Sequence, residues 1–249
     1  MPDTSLRSNE SPRYGFDAPS IMLVLLAIGF TGILSGVGLL SFVLGWARWT
    51  VLGAIAISSV PALLGLIMVV YGIAGKPRMR DLMISTIPWR GNEQVLDIGT
   101  GLGLLLIAAA KKLNRCGKAV GIDIWRGEDL SGNSLDQLAI NIDLEGVEDR
   151  VSVKTEDARK LSFPDASFDV VLSLYCIHNI EDRAEQKVAL REIARVLKPG
   201  GRVLIGDYLP THSYADAFRE FGLTVEYSRT FFLTAFGPMW MVKAEKPGK

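Results

Sequence analysis

Histidine and cysteine are scarce in this 249-residue chain, with two of each: His178, His212, Cys116 and Cys176. Two cysteines without a CxxC spacing give neither a disulfide framework nor a zinc site. With two histidines, a metal centre would have to rest on carboxylates, so no resident metal is expected. Net charge is missing too, since 27 Lys and Arg balance 27 Asp and Glu. No basic excess is left to displace counterions from phosphates, which argues against a nucleic-acid partner. Disorder is excluded by a composition that is 49% apolar and 22% charged.

Charge is also unevenly spread. Between Asp17 and Lys76 the only charged residue is Arg48. Ile21 to Gly45 and Val51 to Ala74 are two apolar runs, each longer than the roughly 20 residues that cross a bilayer. A secretory signal has a shorter apolar region and a cleavage site, and is not followed at once by a second run. Residues 21–74 therefore predict a transmembrane hairpin. Its turn, Gly45 to Trp49, sets two tryptophans around Arg48, which suits a headgroup boundary. Gly32 and Gly36, with Ala54, Ser58 and Ala62, form small-residue stripes that allow close helix packing, within the hairpin or between copies of the chain in a homo-oligomer. Pro61 predicts a kink. Arg7, Arg13, Lys76, Arg78 and Arg80 outweigh Arg48, so the positive-inside rule puts both ends in the cytoplasm. The predicted divisions are a cytoplasmic tail over 1–20, the hairpin over 21–74, a linker or leading helix over 75–92, and a soluble domain over 93–249.

That domain alternates strand and helix patterns. Strands are predicted at Gln94 to Ile98, Ala119 to Ile124, Val151 to Lys154, Phe168 to Leu174 and Arg202 to Asp207, with two more around Phe236-Gly237-Pro238. Helices are predicted at Leu104 to Leu113, Ser134 to Glu145, Asp182 to Leu197 and Tyr214 to Phe221. Ser134-x-x-Gln137 and Asp182-x-x-Glu185 read as capping boxes, and Gly146 and Lys198-Pro-Gly-Gly201 as stops. Such alternation implies an α/β, Rossmann-like, seven-stranded and mostly parallel sheet with helices on both faces. Ligands of such sheets lie beyond the C-terminal strand ends, where strand order reverses.

The first strand runs into Asp97-Ile-Gly-Thr-Gly-Leu-Gly103. A dinucleotide fingerprint starting at Gly99 would need its third glycine at position 104, which is leucine, so NAD or FAD is disfavoured. VLDIGTGLG resembles the first motif of class I S-adenosylmethionine (SAM)-dependent methyltransferases. Gly121-Ile-Asp123, Asp157-Ala158, LSFPDASFDVVLS, Ile177-His-Asn-Ile180 and EIARVLKPGGRVLIGD resemble later motifs of that family, in order, from about Gln94 to the C-terminus.

The resemblance implies SAM as cofactor. Gly99, Thr100, Gly101 and Gly103 would admit its methionine end, with Asp97 near the ammonium. Asp123 would hold the ribose hydroxyls, Ile124 and Trp125 would lie against adenine, and Asp157 and Ala158 would meet the adenine edge. Ser173 and Tyr175 would face the methionine end and the substrate. If the acceptor must lose a proton, His178 is the candidate base, with Tyr175 beside it. Plainer readings stay open: Trp125 as a packing aromatic, His178 as a structural histidine, Asp157 as a solvated carboxylate, Cys176 as a small buried residue and Asp169 as a structural cap. The turn-rich stretch from Trp125 to Ser134 is expected to emerge beside the adenosine pocket, with Asp129 and Asn133 helping to close it. The expected activity is membrane-anchored methyl transfer to a small-molecule acceptor, lipid-like or quinone-like. A membrane-tethered SAM-binding module without turnover would use the same residues.

Overall fold

The computed structural model describes residues 11–208, 211–230 and 239–248. The chain opens with two apolar helices, α1 (Pro19–Leu39) and α2 (Ala47–Val70). They pack through the small-residue stripes. A Cβ placed on Gly29 would overlap Ala62, one on Gly32 would overlap Ser58, and one on Gly36 would overlap Ile55. Most of the stripe is thus used within the hairpin, where small residues let the backbones approach, with Ile55 rather than the exposed Ala54 facing Gly36. Pro61 lies inside α2. Helix α2 begins earlier than the sequence predicts, so Arg48 and Trp49 sit in its first turn.

The helix does not stop where the apolar run ends. It widens into a π-turn, Tyr71–Gly75, and continues as α3 (Lys76–Ser85). Met79 and Met83 of α3 are fully buried against the following domain. Lys76 is buried as well.

The domain is a seven-stranded sheet. Its strands are β1 (Gln94–Ile98), β2 (Lys118–Asp123), β3 (Val151–Thr155), β4 (Phe168–Leu174), β5 (Leu197–Asp207), β6 (Thr224–Thr230) and β7 (Trp240–Glu245). Their order is β3-β2-β1-β4-β5-β7-β6, with β7 antiparallel to both neighbours and the rest parallel. Covering helices are α4 (Leu104–Ala110), α5 (Leu135–Leu144), α6 (Arg183–Val196) and α7 (His212–Glu220). Central strands buried on both faces need apolar runs rather than alternation, and Val170, Val171 and Leu172 of β4 are all buried.

Local signals act as their chemistry predicts. Ser134 Oγ accepts the Gln137 amide at 3.2 Å, and Asp182 Oδ1 accepts the Ala184 amide at 2.7 Å, so each caps its helix. Gly146, at φ +62°, follows the end of α5. One stop differs: α6 ends at Val196 and β5 begins at Leu197, so Lys198 to Gly201 already lie in the strand. Asp169 is structural, accepting from the Gln94 amide at 2.8 Å and from Lys198 at 2.7 Å. The predicted turn at Phe236-Gly237-Pro238 lies outside the described residues.

Candidate active site

Strand order reverses between β1 and β4, so the loops leaving their C-terminal ends part and open a crevice. The loop after β1 holds Gly99, Gly101 and Gly103 at φ +69°, +50° and +88°. These are left-handed conformations that side chains disfavour. Space excludes larger residues as well: a Cβ on Gly99 would run into Cys176, and one on Gly101 would sit 2.7 Å from Leu130 Cδ2. After β4 comes Tyr175, a non-glycine residue at φ +55°. Backbone strain of this kind is kept where the surroundings enforce it.

The crevice is a cavity of about 430 Å3, within the usual range for small-molecule sites. Asp97, Gly99, Thr100, Gly101, Asp123, Ile124, Asp157, Ala158 and Tyr175 all line it. So do Asp129 and Asn133 of the turn-rich loop. Asp123 is the hub of the wall. Its carboxylate accepts the Gly101 amide at 2.8 Å and the Trp125 amide at 2.7 Å, with Asn133 Nδ2 at 3.5 Å. It therefore ties the glycine turn to the adenosine-side loop. Asp97 is fully buried and accepts from Thr100 Oγ1 at 2.9 Å. Burial raises its carboxyl to about 7 against the lowering pull of that hydrogen bond. Asp157 is held by Arg159, whose hydrogen bonds keep the carboxyl below its ordinary value.

Four residues expected at the site do not line the cavity. Gly103 is the N-cap of α4, and a Cβ there would press on Leu138 and Ile107, so it serves helix packing. The Trp125 ring packs on the core while its Nε1 donates to Thr155 Oγ1 at 2.8 Å. Its φ of +60° turns the chain, and its amide donates to Asp123 at 2.7 Å. Ser173 is buried, with Oγ donating to the Ile98 carbonyl at 3.0 Å, and so fastens β4 to β1. His178 lies behind Tyr175, ring centroids 6.3 Å apart, and edge-on to Tyr208 at 4.4 Å. Its Nδ1 is 2.5 Å from Oδ1 of Asp207. Asp207 is completely buried and also accepts from Tyr214 Oη and from the His178 and Tyr208 amides.

The sequence reading missed the roof. The segment 13–18 is no loose tail. Arg13 exchanges backbone hydrogen bonds with the Asn141 amide, Tyr14 Oη donates to Glu145, and Phe16 to Ala18 pair with the loop at 129–131. Asp17 and Lys76 thereby meet over the cavity at 3.0 Å, and both line it.

The wall carries nine acidic residues against Lys76, Arg126 and Arg159. Such a wall repels a pyrophosphate and favours a cation. A sulfonium ligand with an ammonium group matches that charge, the glycine cradle admits its backbone-close end, and the partnerless, buried Oδ1 of Asn133 is an acceptor for its hydroxyl or amino groups. The residues present fit SAM.

Known proteins point the same way. Residues 96–205 match the family described as Methyltransferase domain. The 27-O-demethylrifamycin SV methyltransferase of Amycolatopsis mediterranei is 36% identical over 148 residues, 57% of this chain and 50% of that protein. The ubiquinone/menaquinone biosynthesis C-methyltransferase of Vibrio campbellii is 33% identical over 119 residues, 48% of this chain and 42% of that protein. The chain thus spans about half the length, or less, of these curated relatives. A SAM-dependent methyltransferase structure from Aquifex aeolicus superposes with a TM-score of 0.53 at 19% identity, over 67% of this chain and 88% of that one, a likeness of fold.

Proposed function

The chain carries a class I SAM-dependent methyltransferase domain, and from that premise we propose that it moves the methyl group of SAM to a small, lipid-like acceptor at a membrane surface. The observation that carries this reading is the continuity of the apolar hairpin with the cavity roof. Among the described residues, every large apolar side chain that is exposed lies between Ile21 and Ile73, except Ile124, Leu135 and Tyr208. Both helices are long and apolar enough to span a membrane, and little of either is buried. A core helix would be covered by its own domain, so this surface calls for lipid. Lys76, Arg78 and Arg80 follow the second helix and favour anionic headgroups at about 1 kcal/mol each. A quinone-type acceptor is in keeping with the Vibrio campbellii relative's name.

Bound SAM supplies an electrophilic methyl group on a sulfonium. The protein's part is alignment and exclusion of water, and positioning alone is worth about 7–11 kcal/mol. Asp97 and Asp123 orient the methionine end and the ribose of the cofactor. Tyr175, on the wall, touches the acceptor. His178 acts through Tyr175, its ring fixed by Asp207 and Tyr208. His178→Asn is expected to lower kcat about tenfold and to leave SAM affinity within twofold. A histidine serving as the base would instead cost about 10²–10⁴-fold in kcat.

The deciding experiment incubates the full chain with methyl-labelled SAM and a membrane extract, then separates lipid, soluble and protein fractions. Label in the lipid fraction is expected. Binding of SAM with no label transferred to any fraction would favour a tethered SAM-binding module.

A further inference from the structure

A second cavity, of about 530 Å3, lies beside the first. Its walls come from the segment at 13–16, the π-turn and the start of α3 (Gly72, Ile73, Lys76, Pro77) and the loop at 131–132. Tyr14, Lys76, Leu102 and Leu104 are common to both cavities, so the two meet at these side chains. Apart from Arg13 and Lys76, its lining is uncharged, with Phe16, Ile73 and Pro77 on the hairpin side.

The polar groups around this junction are not all matched. Lys76 Nζ donates to Asp17 Oδ1 at 3.0 Å and to the Tyr14 carbonyl at 3.3 Å. The other oxygen of Asp17 is buried without a hydrogen-bond partner, and the Tyr71 hydroxyl is buried facing that of Tyr175. The Tyr71 ring stands edge-on to Tyr175 at 5.3 Å. A buried polar atom left unmatched is costly and rare, and Asp17 Oδ2 belongs to a residue that lines the first cavity, where a ligand could match it. A carboxylate oxygen accepts only, so it calls for a donor. The phenolic oxygen of Tyr71 accepts or donates.

We propose that Asp17, Lys76 and Tyr71 form the head-group subsite for the methyl acceptor, and that the second cavity carries its apolar chain toward the bilayer. The ligand class is an amphiphile whose small ring or head bears a hydroxyl. The hydroxyl donates to Asp17 Oδ2 and meets Tyr71, which puts the head beside Tyr175. Lys76 pins Asp17 by its other oxygen and sits where head meets tail. The inference rests on the membrane-borne acceptor proposed above and adds how that acceptor is recognised.

The test measures binding without turnover, on the full chain in lipid nanodiscs with S-adenosylhomocysteine present. The probes are para-octylphenol and its methyl ether para-octylanisole, which share the chain and differ in that a methyl group replaces the donor hydrogen. The wild type is expected to bind the phenol at least about tenfold tighter, the worth of a hydrogen bond to a charged acceptor. Asp17→Asn should cut that preference below threefold, and Tyr71→Phe, which keeps the ring against Tyr175, should reduce it in part. Retained S-adenosylhomocysteine binding in both variants shows that they are folded. An unchanged preference in Asp17→Asn, or equal binding of the two probes by the wild type, overturns the subsite. Either result leaves the labelled-lipid experiment free to succeed, so failure of the subsite and failure of the function are read separately.

Discussion

Replacing Asp123 by alanine is expected to weaken SAM binding by at least about a hundredfold while the sheet stays folded. The carboxylate would accept from two ribose hydroxyls, and each hydrogen bond to a charged acceptor contributes about 1.5–3 kcal/mol. The same oxygens also hold the Gly101 and Trp125 amides at 2.8 and 2.7 Å. Alanine therefore removes the ligand's partner and frees the turn that shapes the pocket, and the two losses act in one direction. Asp123→Asn keeps one acceptor oxygen and should fall between, at about tenfold. Calorimetric titration with SAM, set beside thermal melts of each variant, separates affinity from folding. An alanine variant that melts as the wild type does and binds within threefold of it would remove Asp123 from the site.

The sequence made the sheet legible because buried parallel strands leave continuous apolar runs, and helix starts leave Ser134 and Asp182 as caps. The glycine turn was legible for a related reason: three left-handed positions in five residues admit little else. Trp125 and Ser173 show where such reading stops. A motif gives a residue's place along the chain, but the direction of its side chain depends on backbone torsion and on neighbours. Trp125, at φ +60°, turns its indole to Thr155, and Ser173 spends its hydroxyl on β1. The roof was missed for a different reason. Asp17 and Lys76 bound the nearly uncharged stretch, and a hairpin returns on itself, so its two flanks must lie side by side. That signal was present in the sequence, in the form of the charges at the edges of an apolar run. No pattern pointed to the pairing of residues 16–18 with 129–131, because isolated bridges of this kind have no periodicity.

Asp97 makes cofactor affinity pH-dependent, and the direction follows from its environment. In the unfolded chain this carboxyl ionises near 4. In the fold, burial raises it to about 7. A carboxyl raised on folding contributes stability that is fully present below the unfolded value and lost as pH rises through the folded one. The loss by pH 8 is on the order of 4 kcal/mol, so the ligand-free protein should melt at a lower temperature at pH 8 than at pH 5. The cofactor's ammonium reverses this preference, because an ionised Asp97 is then paired rather than isolated. SAM binding should strengthen about five- to tenfold between pH 6 and pH 7.5, with protons released on binding. It should weaken again above about 8, where an α-amino group loses its charge. Asp97→Asn should bind at least about tenfold more weakly at pH 7.5 and lose the rising limb while keeping the falling one. Titrations in buffers of different ionisation enthalpy count the released protons directly. A wild-type affinity that stays level from pH 6 to pH 7.5 would place the ammonium elsewhere in the cavity, since no buried carboxyl near neutrality could hold it without that proton leaving.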